Sequence, residues 1–157
     1  MMTQDFSAAE QSQIAALAEK TLDISQFLVD KVGLAPETSA GETEKIRLTY
    51  HDPCHLKKSL GVAAQPRALV RANPRYDLQE MAEADWCCGM GGSFNLQHYD
   101  ISASIGRRKR DNIVNSGCQV VATGCPACML QITDMLSQAK ARVQVKHAME
   151  IYAEGLK

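Results

Sequence analysis

Five of the six cysteines occur in three groups that are far apart in the chain. Cys54 is single, Cys87 and Cys88 are adjacent at the start of a glycine-rich turn, and Cys125 and Cys128 form a C-x-x-C pair. There are 32 residues between Cys54 and Cys87 and 36 between Cys88 and Cys125. With no export signal visible, clustered cysteines more often bind metal or do redox work than form structural disulfides. A fold must therefore bring these three segments together if the sulfurs act as one site.

Strand-like and helix-like segments alternate from residue 44 onwards, which predicts such a fold. The predicted strands cover residues 46–50, 76–81, 119–123 and 143–146. One predicted helix ends near residue 73, and three further helices are predicted at residues 101–115, 126–139 and 148–156. This βαβαβαβα order predicts an α/β fold with a small four-stranded parallel sheet, right-handed crossovers and helices on both faces. A strand order 2-1-3-4 is favoured, although the polar–apolar alternation of residues 46–50 fits a central strand poorly.

Each motif cysteine follows a predicted strand: Cys54 the first, Cys87 and Cys88 the second, Cys125 and Cys128 the third, with His147 after the fourth. Sites in open parallel sheets form beyond the carboxyl ends of the strands, so these side chains are expected to converge there. Cys118 precedes the third strand and lies roughly 20 Å from Cys125 at strand rise. We predict that Cys118 is a small buried residue and not a ligand.

Adjacent cysteines chelate a single metal awkwardly but suit a centre with several metal atoms, which favours an iron–sulfur cluster. Gly89, Gly91 and Gly92 leave backbone N–H groups free to approach the sulfurs of such a cluster. The helix that starts near Pro126 points its positive end at the same place. A zinc site with four of the thiolates, or with three thiolates and His55 or His147, is an alternative.

Other local patterns predict features outside this site. The pair Cys125 and Cys128 alone also resembles a thiol–disulfide redox motif. His51 carries no functional signal, and the basic run 107–110 is interpreted as a solvated helix face. The apolar side of the same helix is predicted from three isoleucines: Ile101, Ile105 and Ile113.

Residues 1–43 are predicted to form a helical appendage and a linker, and residues 44–157 the domain proper. Ser7 and Glu10 have the spacing of a capping box, and Ile14 and Leu17 begin an apolar stripe. A second short helix is expected before Gly33, and residues 34–43 have linker composition.

The formal net charge of −1 and the pI of about 6.4 give no reason to expect a nucleic acid as partner. No apolar run approaches the roughly 18 residues of a membrane span. We therefore expect a cytoplasmic protein that does not span a membrane. No arrangement for ordinary acid–base catalysis is visible, which favours an electron carrier over an enzyme that acts by itself.

Three segments together resemble the CCG (cysteine-rich) domain family. They are residues 50–55 (Tyr-His-Asp-Pro-Cys-His), 86–92 (Trp-Cys-Cys-Gly-Met-Gly-Gly) and 124–128 (Gly-Cys-Pro-Ala-Cys). That family includes the cysteine-rich subunit of heterodisulfide reductase and iron–sulfur subunits of glycolate oxidase and of lactate-utilisation complexes. Residues 65–70 and 102–112 look most like the lactate and glycolate branch. The resemblance covers about residues 44–157, and residues 22–34 resemble the segment that joins the two halves of such subunits.

The resemblance implies iron–sulfur electron transfer in the oxidation of a 2-hydroxy acid, with flavin or iron–sulfur subunits as partners. In the heterodisulfide reductase branch it implies a non-cubane [4Fe–4S] cluster on the five motif cysteines, here Cys54, Cys87, Cys88, Cys125 and Cys128. That branch also implies a thiol/disulfide reductase module, and some CCG domains hold zinc, which implies a zinc-stabilised interaction domain. Members usually carry two motifs and this chain has one, so a second CCG domain is an expected partner. The ferredoxin-type C-x-x-C-x-x-C run of the glycolate oxidase subunits is absent from the sequence.

Overall fold

The computed structural model describes residues 6–34 and 44–156. Its strands are β1 (Ile46–His51), β2 (Tyr76–Leu78), β3 (Val120–Thr123) and β4 (Gln144–His147). Its helices are α1 (Ala8–Lys20), α2 (Ile24–Gln26), α3 (Ala64–Arg71), α4 (Ser93–Gln97), α5 (Tyr99–Asn115), α6 (Pro126–Gln138) and α7 (Ala148–Glu154). Two π-helical turns cover Phe27–Lys31 and His55–Ser59. Of the predicted linker 34–43, only the first residue is among the described residues. The predicted boundary between residues 43 and 44 falls at the edge of the part that is not described.

The four strands form one parallel sheet in the order β2-β1-β3-β4, which confirms the predicted fold and strand order. In the register of β1 and β3, Leu48 pairs with Val120 and His51 pairs with Thr123. Thr123 pairs in turn with His147 of β4. These last residues of the three strands therefore lie side by side at the carboxyl edge of the sheet.

Two apolar layers cover the sheet, one on each face, as the alternation of strands and helices predicted. On one face, Leu48, Tyr50 and Ala122 pack with Val70 of α3 and Ile151 of α7. The opposite layer contains residues of β3, α5 and α6 together with three thiols: Val121, Ile113, Ile132, Leu136, Cys88, Cys125 and Cys128. The second layer is thus part of the hydrophobic core and also the wall of the cysteine site.

The polar residues of β1 are buried, although the alternation of this strand suggested an exposed face. Thr49 is 0% exposed and His51 is 1% exposed. Both lie on the sheet face that carries Val121, because side chains alternate along a strand and Thr49 pairs with Val121. Alternation in β1 therefore separates two buried faces, and its polar residues Thr49 and His51 lie on the face of the second apolar layer.

The prediction for the buried side of helix α5 is confirmed at Ile113, which is 0% exposed, and wrong at Ile101. Ile101 is 56% exposed, and the residues that face the interior are Ser102, Ala103, Gly106, Lys109 and Ile113. A Cβ atom on Gly106 would lie 2.8 Å from Met135 Cγ and 3.0 Å from the Cys88 carbonyl oxygen. The helix therefore packs through small residues at close range, and this phase exposes Ile101.

The N-terminal segment begins with α1, whose capping box joins Ser7 and Glu10 as predicted. No residue of α1 is buried, and Ile14 and Leu17 of the apolar stripe are exposed. Residues of α2 and of the following π-helical turn contact α3. Among the described helices, none has both the length and the apolar character needed to cross a membrane.

A polar cluster of Tyr76, Lys146 and Glu154 joins β2, β4 and α7. Lys146 Nζ lies 2.7 Å from Glu154 Oε1 and 3.0 Å from the Tyr76 hydroxyl. The Tyr76 hydroxyl also donates to Glu154 Oε2 at 2.7 Å. These contacts attach the last helix to both edges of the sheet.

Candidate metal centre

All five motif cysteines lie in segments that follow the carboxyl ends of strands. Cys54 precedes the π-helical turn after β1, and Cys87 and Cys88 lie in the turn between β2 and α4. Cys125 is the N-cap of α6 and Cys128 lies in the first turn of this helix. Pro126 occupies the first helical position, where its missing N–H group leaves no hydrogen bond unmade. Cys54 and Cys87 are exposed, whereas the other three thiols are buried.

Two of the buried thiols are in contact, because the sulfur atoms of Cys88 and Cys128 lie 3.3 Å apart. A ring nitrogen of His51 completes a buried group of three, with all ligand atoms within 4.8 Å of one another. In the described part of the chain, this is the only group of three or more candidate ligands at that spacing. Cys125 packs in the same buried cluster, while Cys54 and Cys87 are outside the group.

His51 is a residue that the sequence reasoning missed. Both of its ring nitrogens are buried, and neither has a hydrogen-bond partner in the described residues. Burial first, and then the charge of Lys109, lowers the pKa of His51 to about 3, so the ring is neutral and keeps a free lone pair. The available signal was a histidine at the end of a strand, three residues before the first motif cysteine.

The two adjacent cysteines have raised pKa values in the absence of a metal. The hydrogen bond with Cys128 is the largest cause that raises the pKa of Cys88, to about 12, and burial adds to it. Contact with Cys88 and burial also raise the pKa of Cys87. Thiolates form in such a site when a metal ion replaces the protons, which couples metal binding to proton release.

The glycine-rich turn is fixed by a close contact with α5. Gly89 has a φ of 96°, and a Cβ atom there would lie 2.3 Å from the Ser102 carbonyl oxygen. The Ser102 hydroxyl donates to the Gly89 carbonyl oxygen at 2.8 Å, and the Gly89 N–H donates to Cys87 Sγ at 3.3 Å. Gly91 and Gly92 also have positive φ. Only glycine meets these demands without strain, and the turn directs one N–H group at a motif sulfur.

An ion-pair network supports the segment that carries Cys54. The carboxylate of Asp52 is 2% exposed and accepts hydrogen bonds from both terminal nitrogens of Arg67, at 2.6 and 3.1 Å. Arg67 also binds Glu80, and Lys57 lies between Asp52 and Asp85 at 3.4 and 3.2 Å. The Asp52 N–H donates to the Ala84 carbonyl oxygen at 2.9 Å, which joins this segment to the one before Cys87.

The other sequence candidates occupy different positions. His147 caps α7, because its Nδ1 accepts the Met149 N–H and its own N–H donates to Glu150. His55 is exposed in the π-helical turn after β1. Cys118 is buried and precedes β3, at the opposite end of this strand from Cys125, as predicted. Its sulfur lies 3.8 Å from the Ser116 carbonyl oxygen.

Lys109 corrects the prediction of a solvated basic run, since it is 1% exposed. Its ammonium group donates to the carbonyl oxygens of Glu83 and Ala84, at 2.5 and 3.1 Å. The neighbouring Arg108 remains on the surface, where it stacks on Trp86 with 3.8 Å to the ring centroid. Lys109 and Arg108 therefore both contact the segment before Cys87.

The residues present fit a metal centre. Thiolate and imidazole groups suit zinc and iron–sulfur clusters. Around Cys88 and Cys128, the same sheet face carries polar atoms without a partner in the described residues: Thr49 Oγ1, Thr123 Oγ1 and both nitrogens of His51. Buried polar groups are almost always matched by a partner. A group bound at the carboxyl edge would supply a partner for the polar atoms of His51 and Thr123 at the strand ends.

A family model for the cysteine-rich domain (CCG) matches residues 48–133. A subunit of the fumarate reductase (CoM/CoB) from Methanothermobacter marburgensis is 34% identical over 83% of this chain and 26% of its own length. A lactate utilization protein A from Oceanobacillus iheyensis is 33% identical over 86% of this chain and 54% of its own length. An uncharacterized iron-sulfur protein from Methanococcus maripaludis is 35% identical over 76% of this chain and 23% of its own length. The chain spans between about a quarter and about half of these relatives.

Proposed function

Because the chain belongs to the CCG family of cysteine-rich domains, we propose that it is an iron–sulfur electron-transfer module of a 2-hydroxy-acid oxidoreductase complex. One relative is named an iron-sulfur protein, and another is named for lactate utilization. The observation that carries the proposal is the buried group of His51, Cys88 and Cys128, with the adjacent thiol of Cys87 beside it. On this proposal the catalysis of hydroxy-acid oxidation takes place on a partner subunit, and the module works in the cytoplasm.

The proposed ligands are the five motif thiolates of Cys54, Cys87, Cys88, Cys125 and Cys128. Two adjacent cysteines can bind two different iron atoms, which favours a [4Fe–4S] cluster, of the non-cubane type, over a single zinc ion. Such a cluster would supply one-electron chemistry at this edge of the sheet.

Backbone N–H groups of the glycine-rich turn and the neutral His51 ring would act as hydrogen-bond donors toward its sulfurs, or the ring would act as a further ligand. The N-terminus of α6, with Cys125 as its cap, adds a favourable dipole for an anionic group. These residues would therefore set how tightly the cluster is held.

The proposed unit covers residues 44–157, with residues 1–43 as a helical appendage and linker. The curated relatives are longer than this chain. We therefore include a second cysteine-rich domain, on the same or on another polypeptide, among the proposed partners. Flavin or iron–sulfur subunits would donate and accept the electrons.

Anaerobic reconstitution tests the proposal. The wild-type chain, Cys88→Ser and Cys118→Ser are loaded with iron and sulfide, and both elements are counted per chain. We expect iron and sulfide in equal amounts in the wild type and in Cys118→Ser, and a loss of most of both in Cys88→Ser. A colourless chain with one zinc ion and no sulfide contradicts the cluster and favours a zinc-stabilised interaction domain. A loss in Cys118→Ser would contradict the ligand assignment.

A second candidate function is a thiol/disulfide reductase module, as in heterodisulfide reductase. It is supported by the relative named for CoM and CoB and by the Cys125 and Cys128 pair. Incubation of the reduced, loaded chain with a mixed disulfide distinguishes the two functions. A reductase releases thiols at a rate that Cys125→Ser lowers, whereas a pure electron carrier releases none.

A further inference from the structure

Lys109 is a buried cation whose role the proposed function does not yet include. Its neighbour Arg108 is 52% exposed, while Lys109 is 1% exposed. Burial of an ammonium group is costly unless the charge is compensated. A basic helix face could have placed this lysine in solvent, so its position inside the protein requires an explanation.

The contacts of Lys109 satisfy its hydrogen bonds but do not neutralise its charge. Two donors bind the carbonyl oxygens of Glu83 and Ala84, and the third faces Met81 Sδ at 3.9 Å. None of the ion pairs found in residues 6–34 and 44–156 involves Lys109. The Glu83 carboxylate binds Arg108 and Asn112 instead. The described part of the chain therefore supplies dipoles for this ammonium group and no direct counter-ion.

The helix face that carries Lys109 is the wall behind the cysteine pair. Ser102, Gly106 and Lys109 share this face, and the first two touch the backbone of Gly89 and Cys88. Burial lowers the pKa of Lys109 to about 8, and the charges of Asp52 and then Asp85 are the largest that oppose this change. Both of these carboxylates pair with Lys57 instead. Because the face of α5 that carries Lys109 packs on the turn of Cys88, we expect the compensating charge on that side.

On the premise of the iron–sulfur function, we propose that Lys109 is a positioning residue that provides the buried positive charge opposite the anionic thiolate centre. The ammonium group stabilises the thiolate form of Cys88 and the more negative, reduced state of a bound cluster. Its two carbonyl contacts also hold the segment before Cys87 in place. Loss of the charge alone is therefore expected to lower the reduction potential of the cluster.

Three variants separate the charge from the packing. Lys109→Met keeps the length of the side chain without the charge, and Lys109→Gln keeps N–H donors without the charge. Arg107→Met removes the same charge from an exposed position of the same helix and is the matched control. Each chain is reconstituted anaerobically, its iron and sulfide are counted, and its potential is measured by a redox titration followed by visible absorption.

The charge role predicts that both Lys109 variants retain iron and sulfide but have a lower reduction potential than the wild type, while Arg107→Met keeps the wild-type potential. If Lys109 only anchors the loop, the glutamine variant regains thermal stability and neither variant changes the potential. An unchanged potential in two folded, loaded variants overturns the proposal. The same holds if Arg107→Met shifts the potential as strongly.

A measurement on the metal-free chain keeps this inference separate from the proposed function. Alkylation of Cys88 by iodoacetamide at pH 8 is followed by mass spectrometry of the peptide that contains it. We expect a several-fold slower reaction in both Lys109 variants than in the wild type or Arg107→Met, because a nearby cation favours the thiolate. Equal rates overturn the role of Lys109. Failure to bind iron and sulfide overturns the electron-transfer function, and the alkylation rates still decide the role of Lys109.

Discussion

Substitution of Gly89 by alanine is expected to destabilise the chain strongly, because two costs add at this position. The φ of 96° lies in the region that L-residues avoid, and the left-handed backbone costs about 1–2 kcal/mol for a residue with a Cβ atom. The new Cβ atom would also lie 2.3 Å from the Ser102 carbonyl oxygen. That atom belongs to the backbone of α5 and cannot rotate away, and overpacking of this kind typically costs about 1–3 kcal/mol.

Gly61 is a control for the backbone term. It has a φ of 68° at the end of a π-helical turn, and no described atom lies within 4 Å of the place where its Cβ atom would be. Gly61→Ala should therefore cost only about 1–2 kcal/mol. The sum for Gly89→Ala is about 2–5 kcal/mol, a large part of the roughly 5–15 kcal/mol that stabilises a typical domain.

Urea unfolding of the metal-free chain, followed by circular dichroism, measures both free energies of unfolding. A larger loss for Gly89→Ala than for Gly61→Ala, by about 1–3 kcal/mol, supports the close packing of the turn on α5. Equal losses, or a larger loss at Gly61, would refute the reasoning, because the contact with the Ser102 carbonyl would then not exist in solution.

Two further predictions concern the charged networks. Asp52→Asn should cost about 3–5 kcal/mol in urea unfolding because it leaves Arg67 without its buried partner, whereas Glu80→Gln, at the exposed end of the same network, should cost within about 1 kcal/mol; similar losses would contradict the buried pair. Hydrogen bonds from Lys146, and then from Tyr76, lower the pKa of Glu154, so its stabilising contribution is complete above the pKa of the unfolded chain and is lost as the pH falls through the folded value. The difference in unfolding free energy between wild type and Glu154→Gln should shrink as the pH falls from about 6 to about 3, and a constant difference would contradict this linkage.

The order of the strands and the position of the thiols could be predicted from the sequence because both depend on long-range topology that few patterns satisfy. Alternating strands and helices require a parallel sheet, and a parallel sheet places the segments of Cys54, Cys88 and Cys125 at one edge. The distances within the site could not be predicted in this way. The 3.3 Å contact between Cys88 and Cys128 depends on how closely α5 approaches α6 and the turn of Cys88, and there is no room at that contact for a side chain on Gly106.

The errors of the sequence interpretation have a common physical cause and a common location. Burial was assigned from hydropathy, so His51 in an alternating strand and Lys109 in a basic run were both expected to be functionally silent. Hydropathy reports the cost of removing a polar group from water and contains no information about a partner that offsets this cost. His51 lies beside Cys88 and Cys128, and Lys109 is on the face of α5 that contacts the turn of Cys88, where such a partner would bind. Places where local rules fail in a folded protein are often functional sites, so these two buried polar side chains support the proposed centre by an observation that is separate from the cysteine spacing.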